Sequence, residues 1–187
     1  MNKTLKIILL AAALVAVIAA AAIGYNALKG QMGTPGGLGG APAASQSPRQ
    51  KAPDFTVYDK NGEAVSLSSM AGKPVVVNFW ATWCGYCKKE MGDFQAAYEK
   101  YGNQVHFMMV NQTDGQRETA EIAQAYVDEN GFTFPVYFDK DLDAAITYGI
   151  RSLPTTLLVD KDGNMLAFQP GQVSAATLEG AIQKALQ

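Results

Sequence analysis

Cys84 and Cys87, the only two cysteines in the chain, fall where a strand-forming run meets the start of a helical pattern. Pro74 opens the run Val75-Val76-Val77-Asn78-Phe79-Trp80, whose β-branched and aromatic content suits a central strand. From Cys84 to Tyr101 the apolar residues recur at helical spacing. A strand that hands over directly to a helix commits the chain to layered α/β packing. It also sets Cys84 at a helix N-terminus, where backbone amides and the positive helix end favour thiolate over thiol. The thiolate is the nucleophile of disulfide exchange. Cys87, one turn inside, is placed to resolve a mixed disulfide, and Gly85 and Tyr86 form the spacer that helps set the redox poise.

The rest of the folded part alternates strands and helices. Phe55 to Tyr58 and Ala64 to Leu67 flank the turn signal Asp59-Lys60-Asn61-Gly62 and predict a hairpin. Val105 to Val110 predicts a strand, Thr119 to Asn130 a helix closed by Gly131, and Val136 to Phe138 a short strand. Asp141 to Tyr148 predicts a short helix ending at Gly149. Thr155 to Val159 and Met165 to Gln169 pair across Asp160-Lys161-Asp162-Gly163. Ser174 caps a last helix running to about Leu186. The alternation predicts an α/β sandwich, and the terminal hairpin makes its sheet mixed.

Charge divides the chain into two parts. Residues 1–51 carry five basic residues (Lys3, Lys6, Lys29, Arg49, Lys51) and no acidic one, which leaves residues 52–187 at about −7. A body of that sign repels phosphate backbones, so nucleic acid is not an expected partner. Lys3 and Lys6 precede seventeen residues, Ile7 to Ile23, without a charged or strongly polar side chain. A positive start followed by an apolar run is an export signal, with the lysines held on the cytoplasmic side. The length of the run and the flank from Tyr25 to Lys29 favour an uncleaved anchor over residues 1–28. The alternative is a signal peptide cleaved at an Ala-x-Ala site between Ala19 and Ala22. Residues 29–51, rich in Gly, Pro, Ala, Ser and Gln, read as a linker. Its reach of roughly 25 Å would tether the acidic domain, 52–187, close to the outer membrane face.

Competing uses of the cysteine pair are weaker. A purely structural disulfide across one helical turn closes too small a loop to constrain the unfolded chain much. Haem attachment needs histidine after the second cysteine, and here Lys88 follows. Two cysteines and one histidine cannot make a four-ligand zinc site, so no metal is expected. Export to an oxidising compartment makes redox chemistry the better use of the pair. A further residue joins the candidates. Cys87, Met91, Phe94, Ala97, Tyr98 and Tyr101 form one apolar stripe, and Glu90 lies within it. A carboxylate on a core-facing stripe is desolvated and pushed toward its protonated form, ready to exchange a proton with Cys87. The other acids between 114 and 143 read as solvated faces, and the lone His106 as structural.

The run Asn78-Phe79-Trp80-Ala81-Thr82-Trp83-Cys84-Gly85-Tyr86-Cys87-Lys88-Lys89-Glu90, with Leu153-Pro154-Thr155-Thr156 far downstream, resembles the TlpA/ResA-like group of membrane-tethered thioredoxin-fold proteins. The resemblance covers about residues 52–187. It implies a thioredoxin fold, a central mixed sheet flanked by helices, with an N-terminal β-hairpin and a central αβ insertion near 119–138. It implies a proton-shuttle role for Glu90. It implies a cis bond before Pro154 facing the cysteines, with the Leu153 backbone free to pair with an extended substrate strand. Trp83 would then wall the site and Tyr86 would touch the partner, while Trp80 belongs to the core. Two positions depart from the pattern: the spacer Gly85-Tyr86 has no proline, and Asn78 stands where thioredoxins place a buried aspartate.

The function expected is an extracytoplasmic thiol–disulfide oxidoreductase that reduces protein disulfides through Cys84 and Cys87 and needs no dissociable cofactor. By resemblance, a membrane thiol carrier would supply its electrons, and cytochrome c maturation or repair of exported proteins would use it. The alternatives are an oxidase that donates its disulfide and a redox-inactive tethered module binding through the cis-proline groove.

Overall fold

A computed structural model describes residues 50–187. The anchor and signal readings of 1–28 and most of the linker reading of 29–51 lie outside the described residues. Among the described residues no helix is long and apolar enough to cross a membrane. Gln50 and Lys51 are already engaged with the domain: Met165 N–H donates to the Gln50 carbonyl, and Lys51 bridges to Asn164.

Seven strands form one sheet: β1 (Thr56–Tyr58), β2 (Ala64–Ser66), β3 (Val75–Trp80), β4 (His106–Asn111), β5 (Val136–Phe138), β6 (Thr155–Val159) and β7 (Met165–Pro170). Among the described residues four α-helices accompany them: α1 (Gly85–Tyr101), α2 (Ala120–Glu129), α3 (Asp143–Thr147) and α4 (Ala175–Ala185), with a 3-10 turn at Leu67–Met70. The strand order is β2-β1-β5-β4-β3-β6-β7. β3, β4 and β5 run parallel, joined by α1 and α2, while both hairpins pair antiparallel at the flanks. The sheet is therefore mixed, as the terminal hairpin predicts.

β3 is buried at all six positions because the sheet is covered on both faces. Val76 and Trp80 point into one core with α1, α2 and α4 (Met91, Phe94, Ala123, Leu178, Ile182). Val75, Val77 and Phe79 point into the other with Phe55, Leu67, Val110 and Leu157. Met108 and Met109 fall on opposite faces, so they are strand packing and not a ligand pair. Trp80 is fully buried against Tyr126, with ring centroids 6.1 Å apart. His106 starts β4 opposite Val75, at the end of the sheet away from the cysteines.

Both hairpin turns close through an aspartate, Asp59 and Asp160, that accepts backbone amides across the loop. Gly62 and Gly163 take the positive φ values the turns need, 82° and 78°. The acids between 114 and 143 depart from expectation. Glu118 and Asp139 are fully buried. Asp139 accepts the amides of Ala144 and Ala145 at 3.1 and 2.9 Å and so holds the first turn of α3. The sequence carries no periodicity there that separates a capping acid from a solvated one.

Candidate active site

β3 ends at Trp80, and the segment Ala81-Thr82-Trp83 turns the chain into α1. Cys84 N–H donates to the Ala81 carbonyl at 3.1 Å and closes the turn. Cys84 is the N-cap of α1, in extended conformation, and its Sγ accepts the Cys87 amide at 3.1 Å. This bond is the physical form of the helix-start effect on the nucleophile. The two cysteines are joined as a disulfide with Cα atoms 5.3 Å apart. Cys84 is 5% exposed and Cys87 is 0% exposed, so Cys84 is the outer sulfur of a largely buried pair.

Glu90 is fully buried on the stripe it shares with Cys87, Met91 and Phe94. Its Oε1 accepts from Asn78 Nδ2 at 2.9 Å and its Oε2 accepts the Val173 amide at 2.9 Å. Burial pushes the Glu90 carboxyl above its ordinary value, against the pull of those two bonds, and Asp93 adds to the rise. Asn78 Nδ2 also donates to Thr156 Oγ1 at 3.2 Å, which ties β3, β6 and α1 together. The structure thus joins Glu90, Asn78 and Thr156 as one buried polar group in an apolar core, on the helix face that Glu90 shares with Cys87.

The Leu153–Pro154 bond is cis. The pairing Phe79↔Thr155 sets Pro154 across from the end of β3, where the cysteine turn departs. Pro154 is buried, its carbonyl accepts the Gly171 amide at 2.8 Å, and Leu153 packs against both cores. Trp83 is 43% exposed, with the Arg117 guanidinium 4.3 Å from its ring centroid. Tyr86 is 62% exposed, with Lys89 Nζ 5.1 Å from its ring. Two large aromatic side chains are thus left in solvent close in sequence to a buried redox pair.

One residue of this neighbourhood escapes the sequence reading. Glu118, between β4 and α2, accepts the Thr82 amide at 2.8 Å and the Thr82 hydroxyl at 2.6 Å. Thr82 lies two residues before Cys84, but only folding brings the two loops together.

Comparison with known proteins agrees with this geometry. A thiol-disulfide oxidoreductase ResA of Bacillus thuringiensis (strain Al Hakam) is 36% identical over 135 residues, which cover 72% of this chain and 76% of that protein. The chain belongs to the TlpA/ResA-like thioredoxin family. The ResA of Halalkalibacterium halodurans is 34% identical over 131 residues, 70% of this chain and 72% of that one. The sequence profile of the AhpC/TSA family matches residues 48–168. The crystal structure of a thiol:disulfide interchange protein of the thioredoxin family from Chlorobium tepidum TLS superposes with a TM-score of 0.64 at 25% identity, over 76% of this chain and 100% of that one. This ResA-like chain has the thioredoxin fold and is a thiol–disulfide oxidoreductase whose redox pair is Cys84–Cys87.

Proposed function

We propose that the protein works as a reductant of protein disulfides, outside the cytoplasmic membrane and tethered to it. The observation that carries the direction of electron flow is the burial of both sulfurs in an apolar cluster with Trp80 and Met91. Apolar burial disfavours thiolates. Among the described residues the hydrogen bond that offsets this at Cys84 is the one from the Cys87 amide. A dithiol so weakly stabilised gives up electrons readily, whereas strong oxidants owe their potential to a stabilised reduced form.

The cycle balances on these groups. Cys84 thiolate attacks one sulfur of the substrate disulfide, and the other leaves as a thiolate, which takes up from solvent the proton Cys84 lost on ionising. Cys87 passes its proton to the ionised Glu90 carboxylate and attacks Cys84 Sγ. The second substrate sulfur departs as a thiolate and takes the proton that Glu90 gives back, and Cys84–Cys87 remains as a disulfide. Two electrons and two protons from a donor dithiol restore the pair, and a membrane thiol carrier fits a tethered domain. The cis-Pro154 loop, with the Leu153 backbone, and the exposed rings of Trp83 and Tyr86 would hold the substrate. Placement outside the membrane is supported by Lys3, Lys6 and the apolar run Ile7 to Ile23. Apocytochrome c and oxidised exported proteins are the substrates this reading favours.

Redox titration against glutathione and dithiothreitol buffers tests the direction. A potential at or below about −200 mV fits a reductant, and one near about −120 mV would make the protein a disulfide donor. Protease accessibility of the C-terminal domain in intact spheroplasts tests the placement.

A further inference from the structure

Thr82 is where the main chain leaves the sheet, so its amide loses a strand partner just before the nucleophile. Glu118 supplies one. Its Oε1 accepts the Thr82 amide at 2.8 Å, and its Oε2 accepts the Thr82 hydroxyl at 2.6 Å. Asn111 Nδ2 donates to the same Oε1 at 2.6 Å, and the Thr113 hydroxyl donates to Asn111 Oδ1 at 2.9 Å. Glu118 is 0% exposed. Its neighbour Arg117 points the other way and covers the Trp83 ring at 4.3 Å. Consecutive residues thus grip consecutive residues, one from the core and one from solvent. The gripping loop is itself held, because Asp114 Oδ1 accepts the amides of Gln116, Arg117 and Glu118 at 2.8, 2.8 and 2.9 Å.

We propose that Glu118 is a positioning residue for thiol–disulfide exchange: through Thr82 it fixes the turn that presents Cys84, and Arg117 braces the same turn at Trp83. While the disulfide is closed, Cys87 ties Cys84 to α1. Once the pair is reduced that tie is gone, and the Ala81–Cys84 turn, with the Lys88 amide on the Cys84 carbonyl at 3.1 Å, keeps Sγ at the Cys87 amide. Charge-assisted hydrogen bonds to a backbone amide are the stiffest local restraint available to such a turn. A displacement of about 1 Å at a reacting atom can cost on the order of a hundredfold in rate.

A buried carboxylate can also act by its charge, and the two roles have opposite signs. A negative charge near Cys84 disfavours the thiolate, so removing it speeds attack. Loss of positioning slows it. Glu118→Gln separates them. Its oxygen can take the Thr82 and Asn111 donors, and its amide can donate to the Thr82 hydroxyl, which accepts as readily as it donates.

The test uses the full chain in detergent, reduced, with two readouts: the alkylation rate of Cys84 at one mildly acid pH, and the reduction rate of insulin as a generic protein disulfide. Glu118→Ala is expected to slow both by on the order of tenfold, the loss of a charged hydrogen bond. Glu118→Gln is expected to restore both close to wild type. Thr82→Val, which keeps the amide bond and loses the hydroxyl, is expected to slow both by about threefold. Wild-type rates in Glu118→Ala overturn the proposal, as does faster alkylation in both Glu118 variants, which would assign the effect to charge. If Glu118→Ala does not fold, Thr82→Val decides, and wild-type rates there overturn it.

Discussion

Glu90 illustrates how one side chain can be read from periodicity yet acquire its chemistry from elsewhere. The helical stripe points it inward, but its two hydrogen-bond donors come from β3 and from the segment before α4. Burial raises its folded pKa above the unfolded value of 4.5. The folded state then holds the proton to higher pH than the unfolded chain, so the contribution of Glu90 to stability is full below about 4.5 and is lost as pH rises through the folded value. Glu90→Gln should flatten that fall in urea unfolding measured at successive pH values. The flattening is partial, because burial raises Asp139 in the same sense. The same variant should remove one ionisation from the pH dependence of Cys87 alkylation, and an unchanged profile would take Glu90 out of the mechanism. Asn78→Asp should act in the opposite direction. It places a second carboxyl within hydrogen-bond distance of Glu90, so the pair titrates jointly and the Cys87 profile moves to higher pH. Glu118, equally buried, was invisible in sequence because Gly115, Gln116 and Arg117 around it read as an ordinary polar loop.

The elements form largely where local pattern puts them. α1 starts at Gly85 because Cys84 caps it, and α2 and α4 start behind Thr119 and Ser174, each of which accepts the amide three residues on. The 3-10 turn at Leu67–Met70 is the exception, set by Ser66 capping Ser69 and by Asp54 accepting the Ser68 amide from a distant loop. Two helical glycines have no visible packing reason. Gly92 in α1 and Gly180 in α4 are exposed, and a Cβ at either would meet nothing within 4 Å. Gly92→Ala and Gly180→Ala should each raise unfolding stability by about 0.5–1 kcal/mol through lower backbone entropy in the unfolded chain. Urea titration of the oxidised variants reads this directly. A loss at position 92 would show that the outer face of α1 is packed in solution.

Redox state and folding are linked across the whole domain. A fold that destabilises its thiolates by burial stabilises its disulfide, so the oxidised chain should resist urea better than the reduced chain. A stabilised reduced form is the mark of a strong oxidant. If the reduced chain proved the more resistant, the burial argument would fail and electrons would flow the other way. The aromatic and cationic side chains around the pair belong to this scale too. Lys88 lies 5.1 Å from the Tyr126 ring, as Lys89 does from Tyr86, and Arg117 covers Trp83, within a domain whose net charge is about −7.

Sequence alone determined the elements, the mixed sheet and the redox pair, because each depends on residues close together in the chain. Helical spacing fixed the inward face of α1, two Asp-x-x-Gly segments fixed the hairpins, and the cysteine spacing fixed the chemistry. Strand order did not follow from any local pattern. The N-terminal hairpin joins the sheet through β5, by the pair Tyr58↔Phe138, and that choice belongs to packing between distant segments. Nor could the sequence separate Glu118 and Asp139 from solvated acids, since a carboxylate is buried only where other segments bring it donors. The tertiary structure decided which loop holds the cysteine turn, because a hydrogen bond between residues 82 and 118 exists only after the sheet has formed.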